Sequence, residues 1–518
     1  MPELPSHKTR IVCTIGPASR SPKTLERMIR SGMNVARLNL AHGDFESHRE
    51  TITAIRAAAD RVGKRVTLLA DLPGPKLRVG QLGVDVAELR RGQMVRLVGL
   101  DIADTMNGAG AAPQEPAGTC TERTTVLDIP LSLPTIPSSL QPGDDVFLND
   151  GLIQLRIHQI VESDHRDTVT QSEDVAVSPG GEWTGRPATE ARVALARVVV
   201  GGELRYRDGI SLPGIDLGIS AFTERDRELL AFAVGEGVEA VGISFVQGPD
   251  DVFAVRSCAH ALGANPFIIA KIERSQAVDC IDSILAQADG LMVARGDLGV
   301  DIPIDRIAIV QKLLISRANA MGKPVITATQ MLESMTDNRR PTRAEVADVS
   351  NAILDGTDCV MLSEETAMGQ FPVDAVTVMA RVAASAERYR EGMRRPAADA
   401  TTVPEVLAQE GAATAERLGA KYIIVPTETG TTARSVARLR PQAWIIAFSP
   451  SEDACHRLQF SRGVHPVFVP EAARAPLVGS NVDWHFVARR WVETRNLRPG
   501  LAVVIQGTNR LEVIDLGS

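Results

Sequence analysis

Two apolar runs of this chain end abruptly in charge. Phe267–Ala270 is followed by Lys271-Ile272-Glu273, and Gly290–Ala294 by Arg295-Gly296-Asp297. A lysine, two carboxylates and a glycine just past two buried-looking strands are the groups that metal-assisted phosphate or carboxylate chemistry needs. Glu273 and Asp297 offer hard oxygens to Mg²⁺ or Mn²⁺, a cation that keeps its remaining positions for water and substrate. Gly296 leaves room for a ligand at the backbone amides, beside a short helix implied by residues 301–306. Lys271 and Arg37 carry the charge to neutralise a phosphoryl group in transfer. Thr329 brings a hydroxyl able to orient a water or relay a proton. The competing reading of the same residues is a structural ion-pair network, Lys271–Glu273 and Arg295–Asp297, at the rim of the fold.

Eight apolar runs can position such groups: Arg10–Ile15, Met33–Leu38, Arg65–Ala70, Ala240–Phe245, Phe267–Ile272, Gly290–Ala294, Pro324–Ala328 and Cys359–Leu362. Amphipathic segments separate them, and strand–helix alternation with short links predicts a parallel α/β layout. Eight such units point to a (β/α)8 TIM barrel, whose chemistry sits at the C-terminal ends of the strands. Seven of the eight ends carry chemistry-bearing residues. They are Arg37 and Asn39, Asp71, Ser244, Lys271 and Glu273, Arg295–Asp297, Thr327–Gln330, and Ser363–Thr366.

After the third run the pattern breaks at Pro73-Gly74-Pro75, and short β-type runs with Gly and Pro turns occupy residues 76–217. Residues 103–123, rich in Gly, Ala and Pro, read as a surface loop. The expected organisation is a tail at 1–7, a barrel from 8–75 and 218–390, an inserted β-barrel lid domain at 76–217, and a C-terminal α/β domain at 391–518. In that last domain Thr427–Thr432 follows a strand and opens a helix, either as a phosphate-binding nest or as an ordinary Thr-capped start.

Composition sets the outer bounds. The 518 residues need more than one core, and 44% hydrophobic with 23% charged residues is globular usage. A net charge of −8 argues against a general nucleic-acid binder, so anionic ligands must be met by local positive charge. The six cysteines show no paired spacing, which fits reduced thiols and neither a disulfide frame nor a zinc site. No apolar leader and no run of about 18 apolar residues is present, so no membrane span is expected, and a cytoplasmic location is.

The stretches IVCTIGPASR (11–20), MNVARLNLAHGD (33–44), NDGLI (149–153) and GKPVITATQMLESM continuing to VMLS (322–363) resemble pyruvate kinases, from about residue 8 to about 470. ATQMLESM followed by RPTRAE is the most specific of these. The resemblance implies a barrel with a mobile lid, a homotetramer, and phosphoryl transfer from phosphoenolpyruvate to ADP, giving pyruvate and ATP. It implies two divalent cations, Mg²⁺ or Mn²⁺, and in many members K⁺. It places Glu273 and Asp297 on the metal, Lys271 and Arg37 on the phosphoryl group, and Gly296, Thr329 and Ser363 with the substrate. Arg78, His42 and Asn39 fall on the nucleotide side, with Asn39 and Asp71 remaining from a K⁺ site.

The departures from the family pattern are specific. DTKGPEIR is here Asp71-Leu-Pro-Gly-Pro-Lys-Leu-Arg78, with Lys76 in place of a glutamate, and Ala41 removes a hydroxyl ligand of K⁺. Lys76 is therefore expected to supply the charge that K⁺ gives elsewhere, so that K⁺ is not required. Glu364 replaces a glycine after the last barrel strand, and Gln506–Glu512 replaces a longer glycine-rich loop, which argues against regulation by a sugar bisphosphate. Two other functions remain open at this point: a metal-dependent lyase acting on pyruvate or oxaloacetate, and a diverged paralogue that binds metabolites and regulates.

Overall fold

The computed structural model describes residues 4–99, 126–133, 136–162, 192–215, 217–390, 400, 402–470, 483–506 and 510–517. The surface loop expected at 103–123 lies outside them. The eight runs form β1 (Arg10–Thr14), β2 (Met33–Asn39), β3 (Thr67–Leu72), β4 (Ala240–Ile243), β5 (Phe267–Ile272), β6 (Gly290–Ala294), β7 (Val325–Ala328) and β8 (Cys359–Leu362). They close into a barrel in sequence order, every neighbour pair parallel, with β8 returning to β1. Every residue of β1, β3, β4, β5, β6, β7 and β8 is buried. Burial on both faces is why these strands read as continuous apolar runs without a two-residue alternation.

Local signals set where each helix starts and stops. Ser21 caps the helix Pro22–Ser31, Pro22 fits its first turn, and Gly32 ends it. Asp44 and Ser47 form a capping box on the helix Phe45–Val62, which stops at the left-handed Gly63. Thr342 and Glu345 cap the helix Arg343–Asp355 in the same way. The Glu345 carboxylate also accepts from the Ser334 amide at 2.7 Å and its hydroxyl at 2.6 Å, so one cap ties the loop after β7 to the next helix.

The chain divides into two compact units, the first being Met1–Gly74, Ala221–Arg295 and Asp305–Ser518. It holds the barrel and a five-stranded sheet ordered Val464–Phe468, Trp444–Ser449, Tyr422–Pro426, Leu501–Gln506, Arg510–Asp515, the last pair antiparallel and the rest parallel. Phe460 joins the two: it packs with Val12, Leu69, Phe267 and Met361 in the barrel core and stacks on Phe267 at 5.3 Å. Burying an aromatic ring of this size is worth about 1.5–3 kcal/mol.

The second unit is Pro75–Ser220 with Gly296–Ile304. Its larger sheet has six strands, ordered Ile210–Ser211, Asp145–Leu148, Ile153–Glu162, Arg192–Val200, Met94–Gly99, Leu127–Leu131, and a two-stranded ribbon pairs Val86–Leu89 with Gly202–Arg205. The segment carrying Gly296 and Asp297 groups with this unit although it follows β6 in the sequence. No helix among the described residues is long and apolar enough to cross a membrane. The five described cysteines are free thiols, and Cys120 lies outside the described residues.

Candidate active site

The C-terminal ends of β2, β3 and β5 bring two cations and two carboxylates together inside the first unit. Arg37 donates through Nε to Asp71 Oδ2 at 2.7 Å and through Nη1 to Thr14 Oγ1 at 2.9 Å. Lys271 Nζ lies 2.6 Å from Ser244 Oγ, 2.9 Å from Glu273 Oε1 and 3.2 Å from Asp71 Oδ1. The contact with Asp71 is an ion pair without hydrogen-bond alignment, since Oδ1 accepts no formed hydrogen bond. The Ser244 hydroxyl donates to the Leu72 carbonyl at 2.7 Å, which leaves its oxygen facing the ammonium.

These groups are nearly closed to water: Asp71 is 2% exposed, Glu273 3% and Lys271 8%. Burial opposes both charges, yet Lys271 and Arg37 hold the Asp71 carboxyl below the usual carboxylate range. Burial likewise works against the Lys271 ammonium, and Asp71 and Glu273 outweigh it and hold it above the ordinary lysine value. Charges taken this far out of water persist only when paired, and a paired lysine at a barrel mouth keeps its proton for an incoming anion. The Lys271–Glu273 half of the ion-pair reading is present. Arg295 pairs instead with Asp348 at 2.7 Å, and Asp297 with Lys76 at 3.7 Å.

Left-handed non-glycine residues follow β4 and β7. Phe245, past β4, has φ 56°, and its amide donates to Glu273 Oε2 at 2.7 Å. Thr329 and Gln330, past β7, have φ 65° and 53°. A left-handed β-branched residue is a true outlier, costing about 1–3 kcal/mol, and such strain gathers at functional sites. The Thr329 hydroxyl donates to the Ala328 carbonyl at 2.7 Å.

Past β8, Ser363 is partly buried, and its hydroxyl oxygen is buried without a hydrogen-bond partner. Glu365 accepts from the Ser363 amide at 2.6 Å and the Leu332 amide at 3.0 Å, so one buried carboxylate joins the ends of β7 and β8. Burial pushes its pKa up against the pull of those amides. Glu364 is exposed.

The remaining sequence-expected residues have these places. Asn39 ends β2, its Oδ1 accepting from the Ala41 amide at 3.2 Å. His42 is exposed, and its carbonyl lies 2.8 Å from His48 Nε2. In the second unit, Gly296 and Asp297 lie in the first turn of the helix Arg295–Asp301. Lys76 Nζ is 3.5 Å from Asp150 Oδ1 as well as 3.7 Å from Asp297 Oδ1. Arg78 Nη1 donates to the Arg207 carbonyl at 3.0 Å.

Sequence reasoning missed Gly242, Phe245 and the Glu365 bridge. Gly242 had a signal, a glycine inside an apolar strand, which marks close approach of other groups. Among the described residues no three His, Cys, Asp or Glu side chains gather as a ready-made metal cage. A Mg²⁺ site of one or two carboxylates completed by water and substrate needs no such cage, and hard carboxylate oxygens such as those of Glu273 suit one.

The pyruvate kinase barrel-domain model matches residues 6–179 and 186–376, and the pyruvate kinase alpha/beta-domain model matches 405–512. A pyruvate kinase of Thermococcus litoralis is 43% identical over 477 residues, covering 90% of both chains. Pyruvate kinase 2 of Synechocystis is 38% identical over 464 residues, 89% of this chain and 71% of that one. The pyruvate kinase of Geobacillus stearothermophilus is 38% identical over 468 residues, covering 89% and 72%. With both domain models matched and the barrel closed as that family requires, the chain belongs to the pyruvate kinase family.

Proposed function

We propose that this protein transfers the phosphoryl group of phosphoenolpyruvate to ADP, forming pyruvate and ATP. The observation that carries the proposal is the buried, charge-balanced set Arg37, Asp71, Lys271 and Glu273 at the C-terminal mouth of the barrel. Arg37 and Lys271 meet the phosphoryl oxygens, and Asp71 keeps both cations charged and in place until substrate arrives. Glu273 and Asp297 are the carboxylates that would hold a Mg²⁺ or Mn²⁺, and the ion would supply positive charge to neutralise the phosphoryl group. Gly296 and Ser363 line the substrate, while Arg78, His42 and Asn39 serve the nucleotide. Thr329 handles the proton that the enolate must take at carbon, and protonation to the ketone is what makes transfer to ADP downhill.

In this reading Asn39 and Asp71 remain from a K⁺ site, Lys76 supplies the charge that K⁺ would give, and turnover does not require K⁺. The protein acts as a cytoplasmic homotetramer, which light scattering during gel filtration tests. A lyase has no use for two cations aimed at a phosphoryl group, and a regulator has none for a complete set of phosphoryl-binding side chains. The deciding experiment is a coupled assay with phosphoenolpyruvate, ADP and Mg²⁺, with and without K⁺. Pyruvate formation strictly dependent on ADP supports the proposal; pyruvate formed from oxaloacetate without ADP, or none at all, overturns it.

A further inference from the structure

The left-handed turn at Thr329–Gln330 needs something to hold it, and one side chain is placed to do so. Arg295, the residue after β6, donates through Nη2 to the Thr329 carbonyl at 2.7 Å. It also reaches the Gln330 carbonyl at 3.5 Å and, through Nε, the Ala328 carbonyl at 3.3 Å. Three successive carbonyls thus face a single guanidinium. Nη2 also meets Met331 Sδ at 2.8 Å, so the whole stretch 328–331 is gathered on one group. The opposite edge is braced: Nη1 lies 2.7 Å from Asp348 Oδ2 and 3.3 Å from Gln311 Oε1. The side chain is 11% exposed.

This arrangement matters because of what the Ala328 carbonyl does. It receives both Arg295 Nε and the Thr329 hydroxyl, so the carbonyl that Arg295 fixes is also the one that orients the hydroxyl. A planar fork of fixed donors is suited to setting the directions of several carbonyls at once; a lysine ammonium is not. Without it, the β-branched Thr329 relaxes toward ordinary φ, and its hydroxyl loses the fixed acceptor at the Ala328 carbonyl.

We propose that Arg295, braced by Asp348, is a positioning residue that holds the left-handed Thr329–Gln330 turn and thereby fixes the Thr329 hydroxyl for the proton step. The inference rests on the pyruvate kinase reading above. It is tested with Arg295→Met, Arg295→Lys, Asp348→Asn and the double variant Arg295→Met/Gln330→Gly. Steady-state kinetics and the exchange of pyruvate methyl hydrogens with D₂O, in the presence of Mg²⁺ and ATP, are measured for each.

Misplacing one catalytic group costs about tenfold to hundredfold, so Arg295→Met lowers kcat and methyl exchange together by that factor. KM for phosphoenolpyruvate and ADP stays within about threefold, because binding is left intact. Arg295→Lys retains part of the rate. Asp348→Asn, which leaves the guanidinium in place, lowers kcat several-fold and covers the case in which Arg295→Met does not fold. Glycine at 330 removes the strain from one of the two left-handed residues and so favours the turn, and the double variant recovers several-fold over Arg295→Met.

Wild-type exchange and kcat in Arg295→Met, or in Asp348→Asn if that is the only variant that folds, overturn the proposal. So does failure of glycine at 330 to restore any rate to a folded Arg295→Met. If the wild-type protein itself makes no pyruvate from phosphoenolpyruvate and ADP, the functional reading falls first, and the two failures are told apart.

Discussion

Lys271 reaches Asp71 across an intervening strand. Lys271 stands on β5 and Asp71 on β3; β4 lies between them and presents Gly242, in register with Asp71. A Cβ added at Gly242 would sit 3.2 Å from Asp71 Oδ1 and 3.6 Å from Lys271 Cδ. The glycine therefore acts as a spacer, and the pair exists because nothing fills that volume. Both neighbours are buried and held by other partners, so neither can yield freely.

Gly242→Ala is accordingly expected to lower kcat by about tenfold or more through displacement of the Lys271 ammonium. Overpacking adds a stability loss of about 1–3 kcal/mol. Steady-state kinetics and urea unfolding check both numbers. A wild-type kcat in a stable Gly242→Ala protein refutes the spacer argument.

The same pair fixes a pH dependence. Asp71 has a folded-state pKa below its unfolded value, so its contribution is present above about pH 4 and is lost as pH falls through the folded value. Lys271 is raised, so its contribution is full below about pH 10 and is lost only as pH rises past the folded value. Neither group titrates between about pH 5 and pH 9. Removing the carboxylate in Asp71→Asn leaves Arg37 without its partner while Glu273 still pairs Lys271, one uncompensated positive charge in the cluster, at a cost of about 3–5 kcal/mol near pH 7. Urea unfolding at a series of pH values should show that gap constant through neutrality and narrowing below about pH 4. A gap that changes between pH 6 and pH 8 contradicts the assignment.

Lys76 offers a third test. Its ammonium lies within 4 Å of two carboxylates, Asp150 and Asp297, in the unit that also carries Arg78. If it supplies a resident positive charge, wild-type turnover is equal in K⁺ and in a tetramethylammonium buffer. Lys76→Met then loses about tenfold in rate, recovered at least partly by K⁺. Strong K⁺ stimulation of the wild-type protein excludes the idea. A Lys76→Met enzyme with full activity in both buffers excludes it equally.

Much of this was legible in the sequence for a physical reason. Barrel strands are buried on both faces, so β6 and β8 appear as unbroken apolar runs and β5 as one broken only by Lys271, and the ends of all three match the structure to the residue. The charged residues that end those runs, Lys271 and Glu273 among them, announced the cluster. What one strand places against another was not legible. The Lys271–Asp71 contact depends on the register of β4, and the Arg295 grip on Thr329 joins residues 34 positions apart. The pairing of Arg440 with Asp358 crosses 82 residues, at 2.9 Å, with both side chains nearly fully buried. The antiparallel edge strand Arg510–Asp515 was also missed, because a half-exposed strand carries too weak an apolar signal.

Glu273 separates a metal ligand from a structural strut. Its Oε1 meets the Lys271 ammonium and its Oε2 the Phe245 amide, both of them donors. In Glu273→Gln the new amide nitrogen must face one of those donors, a mismatch worth about 1–3 kcal/mol of stability whichever way it turns. That loss is expected on either view and decides nothing. The discriminating readout is Mn²⁺ binding by electron paramagnetic resonance, in the absence of substrate. If Glu273 is a metal ligand, the substitution weakens Mn²⁺ by at least about tenfold, and kcat falls by about a hundredfold or more. If Mn²⁺ binds with unchanged affinity while activity falls, Glu273 acts through Lys271 and Phe245, and the cation must be assigned elsewhere.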